Sequence, residues 1–541
     1  MKRFNRELFL IGIIILMALL IRVWGINYDL PYIYNPDEPG YITISQNIFK
    51  TGDLNPHFFN YPSLFFYINA LAYVPYFLLG KILGIFHAPG DILPPISLAM
   101  GVTQAQMPTT VLLGRIISIC FGVGTVVLIY FIGKQITGRT AVGILASVMT
   151  AFSPTNVTYS RLITPDIFVS FFALASFFAS ILVFQQGKTR HYVVAGICAG
   201  LAASSKYNGG WIVLPLVLAH FLRYGKSAFK QPKLYLALLL CGVGFLLTTP
   251  YAILDSVKFL TDLRFEIHHY STGHPGMEGN SLAWYLNYMF TTGGGLYLLA
   301  ALGIFSGFIL RPKEAGLMLI FPAVYFVFII SFVVRNDRTF LPLTPFLFLS
   351  AAWSLILLND KLRSWQNESL RRSSLTVLAG LAIASFAFPI IRTINDVRHL
   401  TTVNSRETAR IWIADTLPTG SKVGIESYSP FVDPIRFSVH GFGSMIDQKP
   451  EWYIENDFEY LVFSQGMYGR FYLEPERYSL QVSQYEDLFN RFELIRLFDD
   501  GDYEIRIYKV QEAASPAAAS GLDIMLKMIL EFDLWNNLAR G

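Results

Sequence analysis

The sequence predicts a mainly α, polytopic transmembrane helical bundle followed by a small extracytoplasmic α/β domain, and three observations predict it. Of 541 residues, 53% are hydrophobic and only 15% charged, with a mean hydropathy of +0.44, whereas a soluble domain carries about 25% charged residues. The apolar residues gather in long runs, among them 8–21, 111–133, 165–184, 233–250, 315–334 and 372–391; a run of about 18 to 20 such residues crosses the hydrocarbon core as a helix. The composition then shifts, so that about twenty of the 38 acidic residues fall between 395 and 512. Together these exclude a soluble enzyme, a fibrous protein and a disordered chain. The net charge of +4 and the absence of a Lys/Arg-rich tract make the lipid bilayer the expected partner, with no nucleic acid. Cys120, Cys198 and Cys241 lie inside apolar segments without CxxC spacing, so they read as buried thiols, not as a disulfide framework or a zinc site.

In chain order, Lys2, Arg3 and Arg6 precede an apolar run with no small-residue cleavage site, which reads as an uncleaved first membrane helix. Candidate spans follow at about 8–26, 62–85, 110–133, 140–155, 165–186, 191–205, 208–223, 233–250, 293–310, 315–334, 339–358 and 373–393, or about 11–13 crossings in all. Basic clusters mark the cytoplasmic ends: Lys134 and Arg139; Lys188 and Arg190; Arg223 to Lys233; Arg311 and Lys313; Lys361 to Arg372. Placing both the N-terminus and Lys134 inside requires an even number of crossings between them, and three are counted. Either 62–85 is not a full span, or 91–107 crosses or re-enters.

On this threading, residues 1–394 form the membrane domain, with external loops at 27–61 and 251–292. Residues 395–512 form the external α/β domain. Lys422–Ile425, Phe458–Phe463 and Tyr503–Tyr508 read as strands and Arg406–Leu417 as a helix. Residues 513–541 read as a small-residue linker, Ala513–Ala519, and an amphipathic tail, Leu522–Leu538.

The chemistry-bearing residues gather on the external side. Asn35-Pro36-Asp37-Glu38-Pro39-Gly40-Tyr41 sets two adjacent carboxylates directly beyond a membrane helix. Adjacent carboxylates resist joint ionisation, which suits a general base or a metal ligand, while the same composition also makes an ordinary solvated turn. Tyr159-Ser160-Arg161 with Thr164-Pro165-Asp166 lies on the same side, where Asp166 could equally be a helix cap. Lys206, Arg335 and Arg338 are cations at outer helix ends, where the positive-inside bias disfavours them; they suit a phosphate, or snorkel to headgroups. His57, His268 and His269 could ligate a divalent cation, although their spacing fits no fixed metal signature. No cofactor is otherwise indicated. GxSxG, HExxH, P-loop and GxGxxG-in-context motifs are absent, which argues against hydrolase, zincin and nucleotide-driven chemistry.

Taken together, these residues resemble the phospholipid-carrier-dependent glycosyltransferases of the GT-C superfamily, which includes protein O-mannosyltransferases and lipid A aminoarabinose transferases. The resemblance runs from about residue 8 to 360 and rests on several stretches. These are Asp37-Glu38, Gly52-Asp53-Leu54-Asn55-Pro56, Tyr61-Pro62-Ser63-Leu64, Gly114-Arg115, Tyr159-Ser160-Arg161 with Pro165-Asp166, Ser205-Lys206-Tyr207 and Arg338-Thr339-Phe340-Leu341-Pro342. It implies a GT-C bundle and inverting sugar transfer from a polyprenyl-phosphate-linked donor to a protein, lipid or glycan acceptor. The reaction would take place on the extracytoplasmic face of the plasma membrane. Asp37 would be the general base, and Glu38 and Asp166 would position acceptor or base. Lys206, Arg335 and Arg338, with Tyr61, would hold the lipid phosphate. Relatives commonly carry Lys-Pro-Pro-Leu where this chain has Tyr61-Pro62-Ser63-Leu64, so one expected basic contact is missing. A transporter or flippase for a lipid-linked sugar is the alternative reading, with Lys206 and Asp166 lining a path; a non-catalytic scaffold using the tail domain is a third.

Overall fold

In the computed structural model the described residues are 2–99, 102–499 and 503–510. The chain divides into two compact units, Met1–Pro95 with Ala105–Thr402, and Ile96–Gln104 with the chain from Val403 onward. The second boundary falls between Thr402 and Val403. The expected linker and amphipathic tail at 513–541 lie outside the described residues.

The first unit is helical. It runs through α1 (Lys2–Val23), the two-residue strand β1 (Tyr32–Ile33), α2 (Glu38–Thr51), α3 (Leu64–Ile82), α4 (Pro108–Thr137), α5 (Thr140–Ala151), α6 (Pro154–Arg161), α7 (Asp166–Gln186), α8 (Thr189–Ser205), α9 (Val213–Tyr224) and α10 (Pro232–Thr248). The single turn α11 (Tyr251–Leu254), α12 (Ser256–Thr272), α13 (Ser281–Gly293), α14 (Gly295–Leu310), α15 (Pro312–Ile330), the short α16 (Asp337–Phe340), α17 (Thr344–Arg363) and α18 (Glu368–His399) complete it. Every segment expected to span is helical. Among the described residues seven helical stretches are long and apolar enough to cross a bilayer alone, or nine if α5–α6, bent by 58°, and α13–α14, bent by 110°, each count as one span. The 22-residue α1 and the 17-residue α8 and α10 are further apolar helices of the unit.

Close packing explains how the bundle holds together where lipid removes the usual hydrophobic drive between helices. A Cβ on Gly143 would lie 2.4 Å from the Tyr130 carbonyl oxygen, so α5 sits directly on α4. Gly196 and Gly200 bring α8 onto α10 in the same way, each 2.3 Å from a carbonyl oxygen, those of Ala237 and Cys241.

The geometry of α3 resolves the crossing conflict. At 19 residues it is about 28 Å long. At its start Phe65, Phe66 and Ala70 share a cluster with Val111 of α4 and Phe168 of α7. Toward its end the Tyr76 hydroxyl meets Thr109 Oγ1 at 2.6 Å, and Phe86, just beyond, packs with Met107 and Leu113. Both ends thus meet the first turns of α4, so α3 lies across one end of the bundle. The 62–85 segment is apolar without spanning, and α1 and α4 supply the even number of crossings.

In the second unit, β2 (Ile96–Ala99) and β3 (Val102–Gln104) form an antiparallel hairpin, so 91–107 is not a crossing helix. After α19 (Ser405–Thr416) comes a five-stranded sheet in the order β5-β4-β6-β8-β7. Its strands are β4 (Lys422–Glu426), β5 (Ser438–Phe442), β6 (Tyr460–Ser464), β7 (Glu493–Phe498) and β8 (Ile505–Lys509), with α20 (Pro450–Glu455), α21 (Gln465–Tyr472) and α22 (Ser479–Arg491) between them. The strands β5, β4 and β6 are parallel, and β8 and β7 add antiparallel. Val423, Ile425, Val462 and Ile507 form the core against α19.

Candidate functional site

The site lies at the end of the bundle where α2, α7 and α16 begin and α8 ends. Residues 35–37 lead into a helix, with Asp37 at its N-cap position. Asn35 Oδ1 accepts the backbone N–H groups of Asp37 and Glu38 at 3.0 and 3.2 Å, Pro39 stands in the first turn, and Gly52 in the left-handed conformation (φ 72°) ends α2. This places the two neighbouring carboxylates in different surroundings.

Asp37 is partly exposed. Arg338 Nη1 donates to its Oδ2 at 2.9 Å, with side-chain exposures of 27% for Arg338 and 37% for Asp37. Arg338 is held by the cap of α16, where Asn336 Oδ1 accepts the Thr339 N–H at 2.9 Å. The adjacent Asp337 accepts the Tyr159 hydroxyl at 2.5 Å, which ties α16 to α6.

Glu38 is fully buried. Arg115 grips it with two parallel bonds, Nε to Oε1 at 3.2 Å and Nη2 to Oε2 at 2.9 Å, and Oε1 also accepts the Ile163 N–H at 3.0 Å. Arg115 Nη1 donates to the Ile26 and Tyr28 carbonyls at 2.8 and 3.1 Å. The pair therefore fastens the start of α2 to α4, to the 26–28 segment and to the approach to α7.

Asp166 is the first helical residue of α7, with Pro165 as its cap, so it does not cap the helix itself. Its Oδ1 accepts Lys206 Nζ at 2.7 Å, and both side chains are buried. The carboxylate sits at a helix N-terminus and the ammonium at the C-terminus of α8, the signs that helix dipoles favour. Among the described residues Asp166 Oδ2 has no hydrogen-bond partner. Tyr61, also buried, lies with its ring centroid 5.8 Å from Lys206 Nζ, and its hydroxyl is within electrostatic reach of both Lys206 and Arg338. Arg335 is half-buried, its backbone N–H donating to Met277 O at 2.8 Å.

A second element completes the rim. The 52–63 segment is laid along α12 by three carboxylates: Asp255 accepts Asn55 Nδ2 at 2.9 Å, Asp262 the Phe59 N–H at 2.9 Å, and Glu266 Asn60 Nδ2 at 3.2 Å. Burial pushes the Glu266 carboxyl above its ordinary range, opposed by the fields of His269, Lys206 and Arg338. The 7- and 4-residue spacings of Asp255, Asp262 and Glu266 are the sign in the sequence of a shared helix face. His57 pairs with Asp53 at 3.1 Å on the surface, and His269 packs beside Phe265 and His274. His268 lies one residue before His269 on α12. Among the described residues no group of three or more His, Cys, Asp or Glu side chains is placed to hold a metal ion.

Electrostatically the rim is an alternating array of Asp37, Arg338, Lys206 and Asp166, with Tyr61 near both cations and Glu266 beyond. Such an array can bind an anion through the cations while leaving a carboxylate oxygen to accept a proton.

Comparison with known proteins places this geometry. Residues 108–251, which carry Arg115, Asp166 and Lys206, match the model of the dolichyl-phosphate-mannose-protein mannosyltransferase family. No curated protein sequence matches the chain. Among solved structures, the Archaeoglobus fulgidus oligosaccharyltransferase tethered to an acceptor peptide aligns at 14% identity over 91% of this chain and 72% of that one, with a TM-score of 0.53. ArnT from Cupriavidus metallidurans aligns in its apo state at 14% identity over 95% of this chain and 100% of that one, with a TM-score of 0.52. ArnT bound to undecaprenyl phosphate aligns at 15% identity over 94% and 99%, with a TM-score of 0.50. The chain is thus a multi-pass membrane protein with the GT-C glycosyltransferase fold, and it resembles that superfamily as its sequence motifs predict.

Proposed function

We propose that the chain is a membrane glycosyltransferase that moves a sugar from a polyprenyl-phosphate-linked donor to a hydroxyl on a protein, lipid or glycan acceptor. Transfer takes place with inversion, on the extracytoplasmic face of the plasma membrane. The observation that carries this reading is the pairing of Asp37 with Arg338 at 2.9 Å beside the Lys206–Asp166 pair at 2.7 Å. The ArnT structure with undecaprenyl phosphate supports the donor class.

The acceptor hydroxyl oxygen attacks the anomeric carbon while its proton passes to Asp37. The bond from that carbon to the phosphate oxygen breaks, and its electron pair leaves with the lipid phosphate. Lys206 and Arg338 stabilise the charge that grows on the phosphate, the electrostatic role in which fixed cations contribute most; Arg335 and Tyr61 line the same side. As the phosphate engages Arg338, Asp37 Oδ2 is released from its ion pair and is free to take the proton. Asp166 positions Lys206. Glu38, bound on both oxygens, positions Asp37 by fixing the first turn of α2.

The test is transfer by the purified protein with a panel of polyprenyl-phosphate sugars, read by mass spectrometry of candidate acceptors and by the anomeric configuration of the product. The expected result is a new glycosidic bond of inverted configuration. Movement of lipid-linked sugar across proteoliposomes with no glycosidic bond formed would support the transporter reading instead.

A further inference from the structure

The three carboxylates along α12 are used unequally. Asp262 is buried and engaged on both oxygens, Oδ2 by the Phe59 N–H at 2.9 Å and Oδ1 by Lys258 Nζ at 2.6 Å. Asp255 stands at the start of α12, about 16 Å from Glu266 along the helix axis. Glu266 differs from both. Its Oε2 accepts Asn60 Nδ2 at 3.2 Å. Among the described residues Oε1 has no hydrogen-bond partner, and it is not shut off from solvent. The half-buried side chain therefore keeps one oxygen open to a ligand.

Three links bring Glu266 to the cations of the rim. Tyr207, next to Lys206 in the chain, donates its hydroxyl to the Phe59 carbonyl at 2.8 Å, which ties residues 59–61 to the end of α8. Tyr61, next to Asn60, has its ring centroid 5.8 Å from Lys206 Nζ and meets Tyr41 of α2 edge to face at 5.9 Å. One turn beyond Glu266, the Tyr270 carbonyl accepts the Val333 and Val334 N–H groups, each at 3.2 Å. The end of α12 is thereby joined to the segment that leads to Arg338. Burial raises the Glu266 carboxyl above its ordinary range, and the fields of His269, Lys206 and Arg338 act against that rise, so both rim cations lie close by.

Building on the glycosyltransferase reading above, we infer that Glu266 is a specificity-determining residue that binds the sugar of the donor through its hydroxyl groups. The sugar is bonded to the phosphate that Lys206 and Arg338 hold, so it lies beside those cations, where Glu266 stands. A sugar hydroxyl donates to Oε1, and the second amide N–H of Asn60 is left for a neighbouring sugar oxygen. A site built to receive a hydroxyl rejects a donor that lacks one at that position, because its own polar group is then left unpaired. Toward the phosphate the carboxylate offers only repulsion, so its presence at an anion site serves the sugar and not the anion.

The experiment measures binding of undecaprenyl phosphate and of undecaprenyl-phosphate-linked hexoses to the full-length protein in mild detergent, without acceptor. Wild type is expected to hold one sugar-linked lipid more tightly than the sugar-free lipid. Glu266→Gln, which keeps the shape, weakens that sugar-linked lipid by about tenfold, as loss of a charged hydrogen bond predicts. It leaves undecaprenyl phosphate at wild-type affinity or slightly tighter. Single deoxy versions of the preferred donor read the same contact in wild type and decide the matter if Glu266→Gln does not fold; one of them should bind about tenfold more weakly than the parent. Equal weakening of both lipids, which a role confined to holding Asn60 and Tyr61 would produce, overturns the proposal. Equal tightening, the mark of a purely electrostatic role, overturns it too, as does an unchanged preference or a deoxy series held like the parent. Wild type that binds undecaprenyl phosphate with no preference for the sugar overturns this proposal and leaves the phosphate site standing, whereas binding of neither lipid overturns both.

Discussion

Asp37 and Glu38 are adjacent in sequence and carry the same charge, yet the fold gives them opposite surroundings. Glu38 is sealed, with a guanidinium across both oxygens and a backbone N–H on one of them. Asp37 is partly open and is held through one oxygen by a single cation. The first arrangement leaves no lone pair well placed for a substrate and fixes geometry; the second leaves an acceptor facing the rim. The difference teaches that a run of carboxylates is not one functional unit. Helix initiation at this point turns consecutive side chains to different neighbours, so one residue supports the position of the other.

The contrast is broken most severely at the sealed pair. Arg115→Met leaves Glu38 buried without its partner and is expected to cost about 3–5 kcal/mol of stability, read as a large drop in the thermal unfolding midpoint. A drop no larger than that of an exposed substitution would show that the pair is not what fixes α2.

A second buried carboxylate sharpens the comparison. Glu426, at the end of β4, accepts from neutral donors among the described residues, the Met445 and Ser464 N–H groups at 3.0 and 2.9 Å and the Tyr485 hydroxyl at 2.8 Å. Burial outweighs them and pushes its carboxyl up to about 7. Because the folded value lies above the ordinary 4.5, its stabilising contribution is complete below about pH 4.5 and is lost as pH rises through 7. The gap corresponds to about 3 kcal/mol. Protection factors of the β4 and β6 amides should therefore fall between pH 5 and pH 8, and Glu426→Gln should flatten that slope.

At the open pair, Arg338→Gln removes one charged partner of the donor phosphate and should weaken donor binding by about tenfold to a hundredfold with little change in stability. Binding of a polyprenyl-phosphate sugar to the purified variant measures this; an unchanged affinity would remove Arg338 from the phosphate site. The smallest effect is expected at His57, whose pair with Asp53 is exposed on both sides. His57→Ala should change stability by less than about 1 kcal/mol and leave the transfer rate near wild type. A large rate loss would point to a cation held there.

Much of this was legible in the sequence, and the rest was hidden for identifiable reasons. The apolar runs gave the helices of the membrane unit because lipid demands continuous apolar surface. Hydropathy does not distinguish a helix that crosses from one that lies across an end of the bundle, so α3 passed for a span. Asp37, Asp166, Lys206 and Arg338 stood out as rare charges at helix ends, but their pairing did not, since Asp37 and Arg338 are 301 residues apart. Arg115 carried no visible role because its partner lies 77 residues away. The helix α2 had signals, Asn35 before Pro36, Pro39 in the first turn and Gly52 at the end, but the same residues also build turns. In the tail, β4, β6 and β8 alternate or bury their apolar residues and were readable. The edge strands β5 and β7 are mostly exposed and lack that pattern.

The central claim is that Asp37 accepts the acceptor's proton. Its most direct test is the transfer rate of purified Asp37→Asn with donor and acceptor both saturating. The account predicts a loss of about 10²–10⁴-fold, with an unchanged unfolding midpoint and donor affinity near wild type. Transfer by Asp37→Asn at the wild-type rate would contradict it.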